Sequence, residues 1–174
     1  MPTVVALLRA VNVGGRKVPM AELRAVVESL GFEDVRTYIQ SGNVIFSAPR
    51  APASATLERA IADRFGLSVD VVVRSAVDLR RALEHNPFPD ADRSRLYVGF
   101  MAKKPAASVV SAIDGAAFLP EQFAVVGREL YLSLPDGIGR TKLPDHILRR
   151  IKVPTTIRNW NTVTKLAELA RTRA

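Results

Sequence analysis

The order in which short apolar runs alternate with amphipathic stripes constrains this chain more than any other feature. Val4-Val5-Ala6-Leu7-Leu8 reads as a buried strand that enters a polar loop at Asn12-Val13-Gly14-Gly15-Arg16-Lys17. Pro19 suits the first turn of a helix, where its missing N–H costs nothing. Leu23, Val26, Val27 and Leu30 recur at spacings of three and four, the inward stripe of that helix, and Gly31 is placed to end it. Val35 to Ile39 is rich in strand formers, Gln40-Ser41-Gly42-Asn43 is a turn, and Val44-Ile45-Phe46 returns. Leu57, Ala60, Ile61 and Phe65 form a second stripe closed by Gly66, and a fourth strand is expected over 69–73. The order is β-α-β-β-α-β, the split β-α-β or ferredoxin-like arrangement, with both helices on one sheet face.

Ser75 and Asp78 fit a capping box opening a helix with Leu79 and Leu83. Two prolines within His85-Asn86-Pro87-Phe88-Pro89 force the chain out of helical geometry, so this stretch reads as a linker. A second pattern follows: a strand over 96–100, a helix over 103–113, strands over 123–126 and 130–134, and a helix over 143–151. Residues 154–157 read as extended or turn-like. Thr156 is then the expected N-cap of a last helix whose inner face carries Trp160, Val163, Ala167 and Ala170, with Leu166 beside it. The expectation is an α+β protein of two ferredoxin-like halves packed together: residues 1–75, a helix and linker over 76–93, and residues 94–174.

Charge bears on partners. The 174 residues carry 25 Lys plus Arg against 17 Asp plus Glu, a formal net charge of +8. Residues 1–75 hold nine basic and seven acidic side chains, residues 76–136 seven and eight, and residues 137–174 nine and two. The last group comprises Arg140, Lys142, Arg149, Arg150, Lys152, Arg158, Lys165, Arg171 and Arg173. Such a footprint attracts phosphates, nucleic acid or an acidic protein surface. An arginine-rich composition and a solvated helix face account for the same count without a partner. Aromatics make up 6% of the chain, thin for a base-stacking platform. There is no cysteine, which removes disulfides, thiolate nucleophiles and cysteine-rich zinc sites. No apolar run is long enough for a membrane span and the first residues lack signal-peptide features, so a cytoplasmic location is expected.

Two polar stretches stand out. In Asn12 to Lys17, Gly14 and Gly15 permit close backbone approach, and Arg16 and Lys17 could close a pocket on a phosphate or carboxylate. The spacing is not that of a nucleotide-binding loop, and a plain turn with solvated cations explains it as well. Gln40, Ser41 and Asn43 around Gly42 read first as turn chemistry. The loop after the first strand and this turn are expected at opposite sheet ends, which argues against one pocket using both. Arg158 and Asn159 offer a fork of donors plus an amide, either for a ligand or for fastening the last helix.

Catalytic chemistry is poorly supplied. His85 and His146 fall in no metal-ligand pattern, so no metal and no cofactor are expected. Ser41 precedes a strand rather than a helix and so is not in a nucleophile elbow. An Asn-Gln-Ser set orients a ligand but does not shuttle protons near neutral pH.

The strings Ala6-Leu7-Leu8-Arg9-Ala10-Val11-Asn12-Val13-Gly14-Gly15 and Tyr38-Ile39-Gln40-Ser41-Gly42-Asn43-Val44-Ile45-Phe46 resemble the signatures of domain-of-unknown-function family 1697, a widespread bacterial family. Asn86-Pro87-Phe88, Leu130-Tyr131-Leu132, Lys142-Leu143 and Thr156-Ile157-Arg158-Asn159-Trp160-Asn161-Thr162-Val163 also match it in order. The resemblance implies two ferredoxin-like halves and carries no established reaction, cofactor or catalytic residue. Family members usually have glycine where this chain has Ala10, which reduces the expected need for an unusual backbone angle there.

Three readings of function follow. The first is polyanion binding, of nucleic acid for example, with Arg149, Arg150, Lys152 and Arg158 as contacts. The second is a small-anion binder or enzyme using Asn12, Gly14, Gly15, Arg16, Lys17, Gln40, Ser41, Asn43, Arg158 and Asn159 in a cleft between the halves. The third is a structural or protein-interaction module.

Overall fold

A computed structural model describes residues 1–171, so Arg173 of the basic segment lies outside the described residues. The chain divides into two compact units: Met1–Arg81 together with the end of the chain from Lys165, and Ala82–Thr164.

The first unit runs β1 (Thr3–Leu8), α1 (Met20–Ser29), β2 (Glu33–Tyr38), β3 (Asn43–Ser47), α2 (Ser54–Phe65) and β4 (Val71–Ser75). Its sheet order is β2-β3-β1-β4 with every neighbouring pair antiparallel, the ferredoxin-like topology. Side chains alternate across a strand, so Val4, Ala6 and Leu8 of β1 pack with Leu23 and Val27 of α1 and Leu57 and Ile61 of α2. Val5, Leu7 and Ile45 on the other face are also buried. That explains why β1 reads as an unbroken apolar run. Gly66 ends α2 in the left-handed conformation (φ +67). β4 lies two residues later than expected, running from Val71 opposite Leu8 to Ser75 opposite Val4. α3 (Ala76–Glu84) then opens on the expected capping box: Asp78 N–H donates to Ser75 Oγ at 3.0 Å and Ser75 N–H to Asp78 Oδ2 at 2.9 Å.

The second unit repeats the topology with β5 (Leu96–Met101), α4 (Ala107–Ser111), β6 (Gln122–Val126), β7 (Glu129–Ser133), α5 (Leu143–Ile151) and β8 (Thr155–Asn159), in sheet order β6-β7-β5-β8. Its helix-side core joins Met101, Leu130 and Leu132 to Leu143, Ile147 and Ile151. The helix expected over 103–113 shortens to α4. Asp114 then accepts from Ala116 N–H and starts a separate 3-10 turn, Gly115–Phe118. Of the stretch expected to be extended or turn-like, Thr155, Thr156 and Ile157 belong to strand β8, which is paired residue for residue with β5. Thr156 therefore lies inside a strand, not at a helix cap. The cap of the last helix, α6 (Trp160–Arg171), is Asn159, whose Oδ1 accepts from Thr162 N–H at 2.8 Å. Along α6 the buried positions are Trp160, Thr162, Val163, Leu166 and Ala170; Ala167 is half-buried, so Leu166 takes the inward place expected of it.

The Trp160 ring is buried, with the Arg93 guanidinium 5.0 Å from its centroid. Trp160→Ala is expected to cost roughly 3–5 kcal/mol in paired denaturant melts. A loss below about 1 kcal/mol would assign the indole to a surface role instead.

Candidate functional site

In both units the antiparallel pairing of the central strand brings three connections to one end of the sheet. In the first unit, Leu8 N–H donates to Gly42 O and Arg9 N–H to Asp70 O, each at 2.9 Å. The β1–α1 loop and the β2–β3 turn therefore meet, and the expectation of opposite ends is corrected. β1 runs antiparallel to β3, with Leu7 opposite Asn43, so the end of one strand lies beside the start of the other. Asn12 joins the two connections directly. Its Nδ2 donates to Gln40 O (2.6 Å) and Val18 O (3.1 Å), while its Oδ1 accepts from Val18 N–H (2.9 Å).

Arg16 is tied down as well, with Nε donating to Ala10 O at 3.0 Å and Nη2 to Ser68 O at 2.7 Å. Asn43 is fully buried and donates to Tyr38 O and to Ser41 Oγ, both at 2.9 Å, so these two side chains hold the turn. Glycine is required at 42: at φ +86, a Cβ would come within 2.7 Å of Val11 Cγ2 and 2.8 Å of Leu8 Cβ. Left-handed angles also occur at three non-glycine residues of this end, Ala10 (φ +54), Asn12 (φ +57) and Ile39 (φ +50). The alanine at position 10 has thus not relieved the backbone of its left-handed angle. Of the expected ligand set, Asn12, Gly14, Gly15, Lys17, Gln40 and Asn159 are exposed, and of these Asn12 and Asn159 are engaged in the hydrogen bonds that hold the local backbone. An open hollow of about 500 Å³ is lined by Asn12, Gly15, Arg16, Lys17, Pro19 and Gln40.

The equivalent end of the second unit is closed in the same way: Met101 N–H donates to Arg128 O and Ala102 N–H to Pro154 O, each at 2.9 Å. The connections gathered there, residues 102–106, 127–128 and 152–154, contain Lys103, Lys104, Arg128 and Lys152 and no Asp or Glu. The last turn of α5 adds Arg149 and Arg150. All six are exposed. Lys152 closes α5 in the left-handed conformation (φ +52), its N–H donating to Leu148 O. Arg150 Nη1 donates to His146 Nδ1 at 3.0 Å and to His146 O at 3.3 Å.

Arg158 does not belong to this exposed set. It lies on β8 opposite Val98, is 7% exposed, and its Nη1 donates to Thr156 Oγ1 (2.6 Å) and Ile157 O (3.1 Å). Burial pushes its guanidinium down to about 10. As a polyanion contact it is corrected: a cation this buried has no face to offer a phosphate chain. Its neighbour Asn159 spends its Oδ1 on the α6 cap. Reading by sequence segment missed Lys103 and Lys104, which sit in a stretch with no net positive charge; threading the expected second β-α-β-β-α-β order would have placed them beside Lys152.

A second hollow of about 670 Å³ lies at the other end of the second unit's sheet, with Glu121 and Asp136 among its lining residues as well as Arg140 and Lys142, so it selects no single sign of charge. No group of three or more His, Asp or Glu among the described residues is placed to hold a metal ion, and none of their helices is long and apolar enough to cross a membrane.

These features define an α+β protein of two ferredoxin-like units, each with its connections stapled at one sheet end. The chain belongs to the family described as protein of unknown function (DUF1697), which matches residues 1–131. A solved structure, that of the conserved bacterial protein SP0830 from Streptococcus pneumoniae, is similar over 98% of this chain and 99% of its own, with a TM-score of 0.74 and 24% sequence identity. That likeness concerns the fold. No curated protein matches the chain.

Left-handed alanine costs about 1–2 kcal/mol, partly offset in glycine by unfolded-state entropy. Ala10→Gly is therefore expected to raise stability by about 0.5–1 kcal/mol. Asn12→Ala, which leaves Val18 N–H and two carbonyls without their partner, is expected to lower it by about 1–3 kcal/mol. Urea melts of both variants check the pair.

Proposed function

We propose that the protein binds the phosphate backbone of nucleic acid through the basic end of the second unit. One observation carries this reading: Lys103, Lys104, Arg149 and Lys152 are exposed, gather at one sheet end, and make no side-chain hydrogen bond or ion pair with any described residue. A cation left without a carboxylate is ready to displace counterions from a phosphate chain. No aromatic residue among those described is exposed, so no stacking platform accompanies the charge. The contacts therefore position a backbone without reading bases, and binding is weakly selective for sequence and strongly weakened by salt.

The test is titration of a mixed-sequence oligonucleotide, single- and double-stranded, at several salt concentrations. Each phosphate neutralised contributes about 0.7–0.9 to the slope of log affinity against log salt. Replacing Lys103, Lys104 and Arg149 with alanine and Lys152 with glycine, which keeps the left-handed cap, is expected to lower the slope by about 3. Arg158→Ala is expected to lower stability and leave the slope unchanged. Equal binding by the fourfold variant, or no saturable binding at low salt, would overturn the proposal.

A further inference from the structure

The hollow of the first unit is a different kind of place from the basic end of the second. Its lining residues include Arg16, Lys17 and Gln40 and no Asp or Glu. The nearby carboxylates are committed elsewhere: Asp70 to Arg9 at 3.5 Å and Glu22 to Arg64 at 3.3 Å. Arg16 is held from two sides through Nε and Nη2, and Nη1 makes no hydrogen bond with any described residue. Lys17 and the Gln40 side chain are exposed and equally without partners among the described residues. The N–H of Gly15, on the hollow's rim, likewise has no acceptor there.

The wall carrying these donors is built at a cost. Ala10, Asn12 and Ile39 all take left-handed angles within this one end of the sheet, each an unfavourable choice for a residue with a side chain. The strain is held by the Asn12 staple, which fixes Gln40 against the 12–17 loop. The result is a hollow bordered by two cations, a side-chain amide and a backbone N–H, with Arg16 held in place and no carboxylate in the lining. Such a set suits a compact oxyanion, which accepts several charge-assisted hydrogen bonds at once.

From this arrangement we infer that the first unit binds a small phosphate-bearing molecule in the hollow formed by Gly15, Arg16, Lys17 and Gln40. The phosphate oxygens accept from Arg16 Nη1, Lys17 Nζ, the Gln40 side-chain amide and Gly15 N–H. This site is independent of the nucleic-acid surface of the second unit, and the two stand or fall separately.

The experiment is a chemical-shift titration of the isotope-labelled full chain with inorganic phosphate, using chloride at matched ionic strength as the control. Saturable shifts at Gly15, Arg16, Lys17 and the Gln40 side-chain amide are expected with phosphate and not with chloride. Lys17→Ala, an exposed position, is expected to weaken binding about tenfold, whereas the fourfold variant of the second unit binds phosphate as the parent does. A nucleoside 5′-monophosphate set against the unphosphorylated nucleoside shows whether the phosphate is the recognised group. The inference is overturned if the shifts grow linearly with salt, if chloride reproduces them, if Lys17→Ala binds equally well, or if the nucleoside alone binds as tightly as its monophosphate.

Discussion

The antiparallel pairing of one central strand with both of its neighbours is the constraint on which each unit depends. β1 pairs with β3 and β4, and β5 with β7 and β8. Because both neighbours run against the central strand, each begins where that strand ends. The connections leading into them are delivered to a single sheet end, beside the loop that leaves it. Two backbone hydrogen bonds, from the last residue of the central strand and from the residue after it, close each end: Leu8 to Gly42 and Arg9 to Asp70, Met101 to Arg128 and Ala102 to Pro154. Both surfaces given a function here lie at these ends. A helix-covered sheet face is occupied by its own core, so the loops are where a rigid frame can present polar groups.

The same construction recurs where the sequence shows little likeness. A separation of 84 residues relates Arg74 to Arg158, Ser75 to Asn159 and Asp78 to Thr162. Arg74 lies opposite Val5 and Arg158 opposite Val98, each the third residue of its central strand, and both arginines are buried. The next residue in each case caps a helix by accepting from the N–H three positions on. Removing a guanidinium from water is costly unless its donors are satisfied. Arg158 meets that demand through Thr156 Oγ1 and a backbone carbonyl. Such an arginine serves the interior of the protein, which is why counting charge along the chain overstated the basic surface of the last segment.

Much of the fold was legible because period-two and period-3.6 patterns differ plainly in the first 75 residues. β8 was harder. Pro154-Thr155-Thr156-Ile157 carries a proline and two hydroxyls and has no alternation of its own; it is a strand because β5 supplies its partners. Lys152 was visible as a charge but not as a left-handed cap, since lysine carries no signal for that angle. The candidate sites were legible in composition rather than in place. Asn12 and Arg16 could be singled out as polar, yet their hydrogen bonds reach Gln40 and Ser68, contacts that exist only once β1, β3 and β4 are paired. The β1–α1 loop and the β2–β3 turn meet for the same reason: the direction of β3 against β1 fixes which connections share a sheet end.

The proposed activity rests on unpaired charge gathered by topology, so the most direct measurement asks where nucleic acid touches the protein. Amide chemical shifts of the labelled chain, followed as a mixed-sequence oligonucleotide is added at low salt, supply that map. The account expects the perturbed amides to cluster in residues 102–106, 127–128 and 149–154, and to return to their free positions as salt is raised. Perturbations centred instead on Arg140 and Lys142, or on Lys165 and Arg171 of α6, would contradict it, because the charge would then act through a surface that the sheet-end connections do not build.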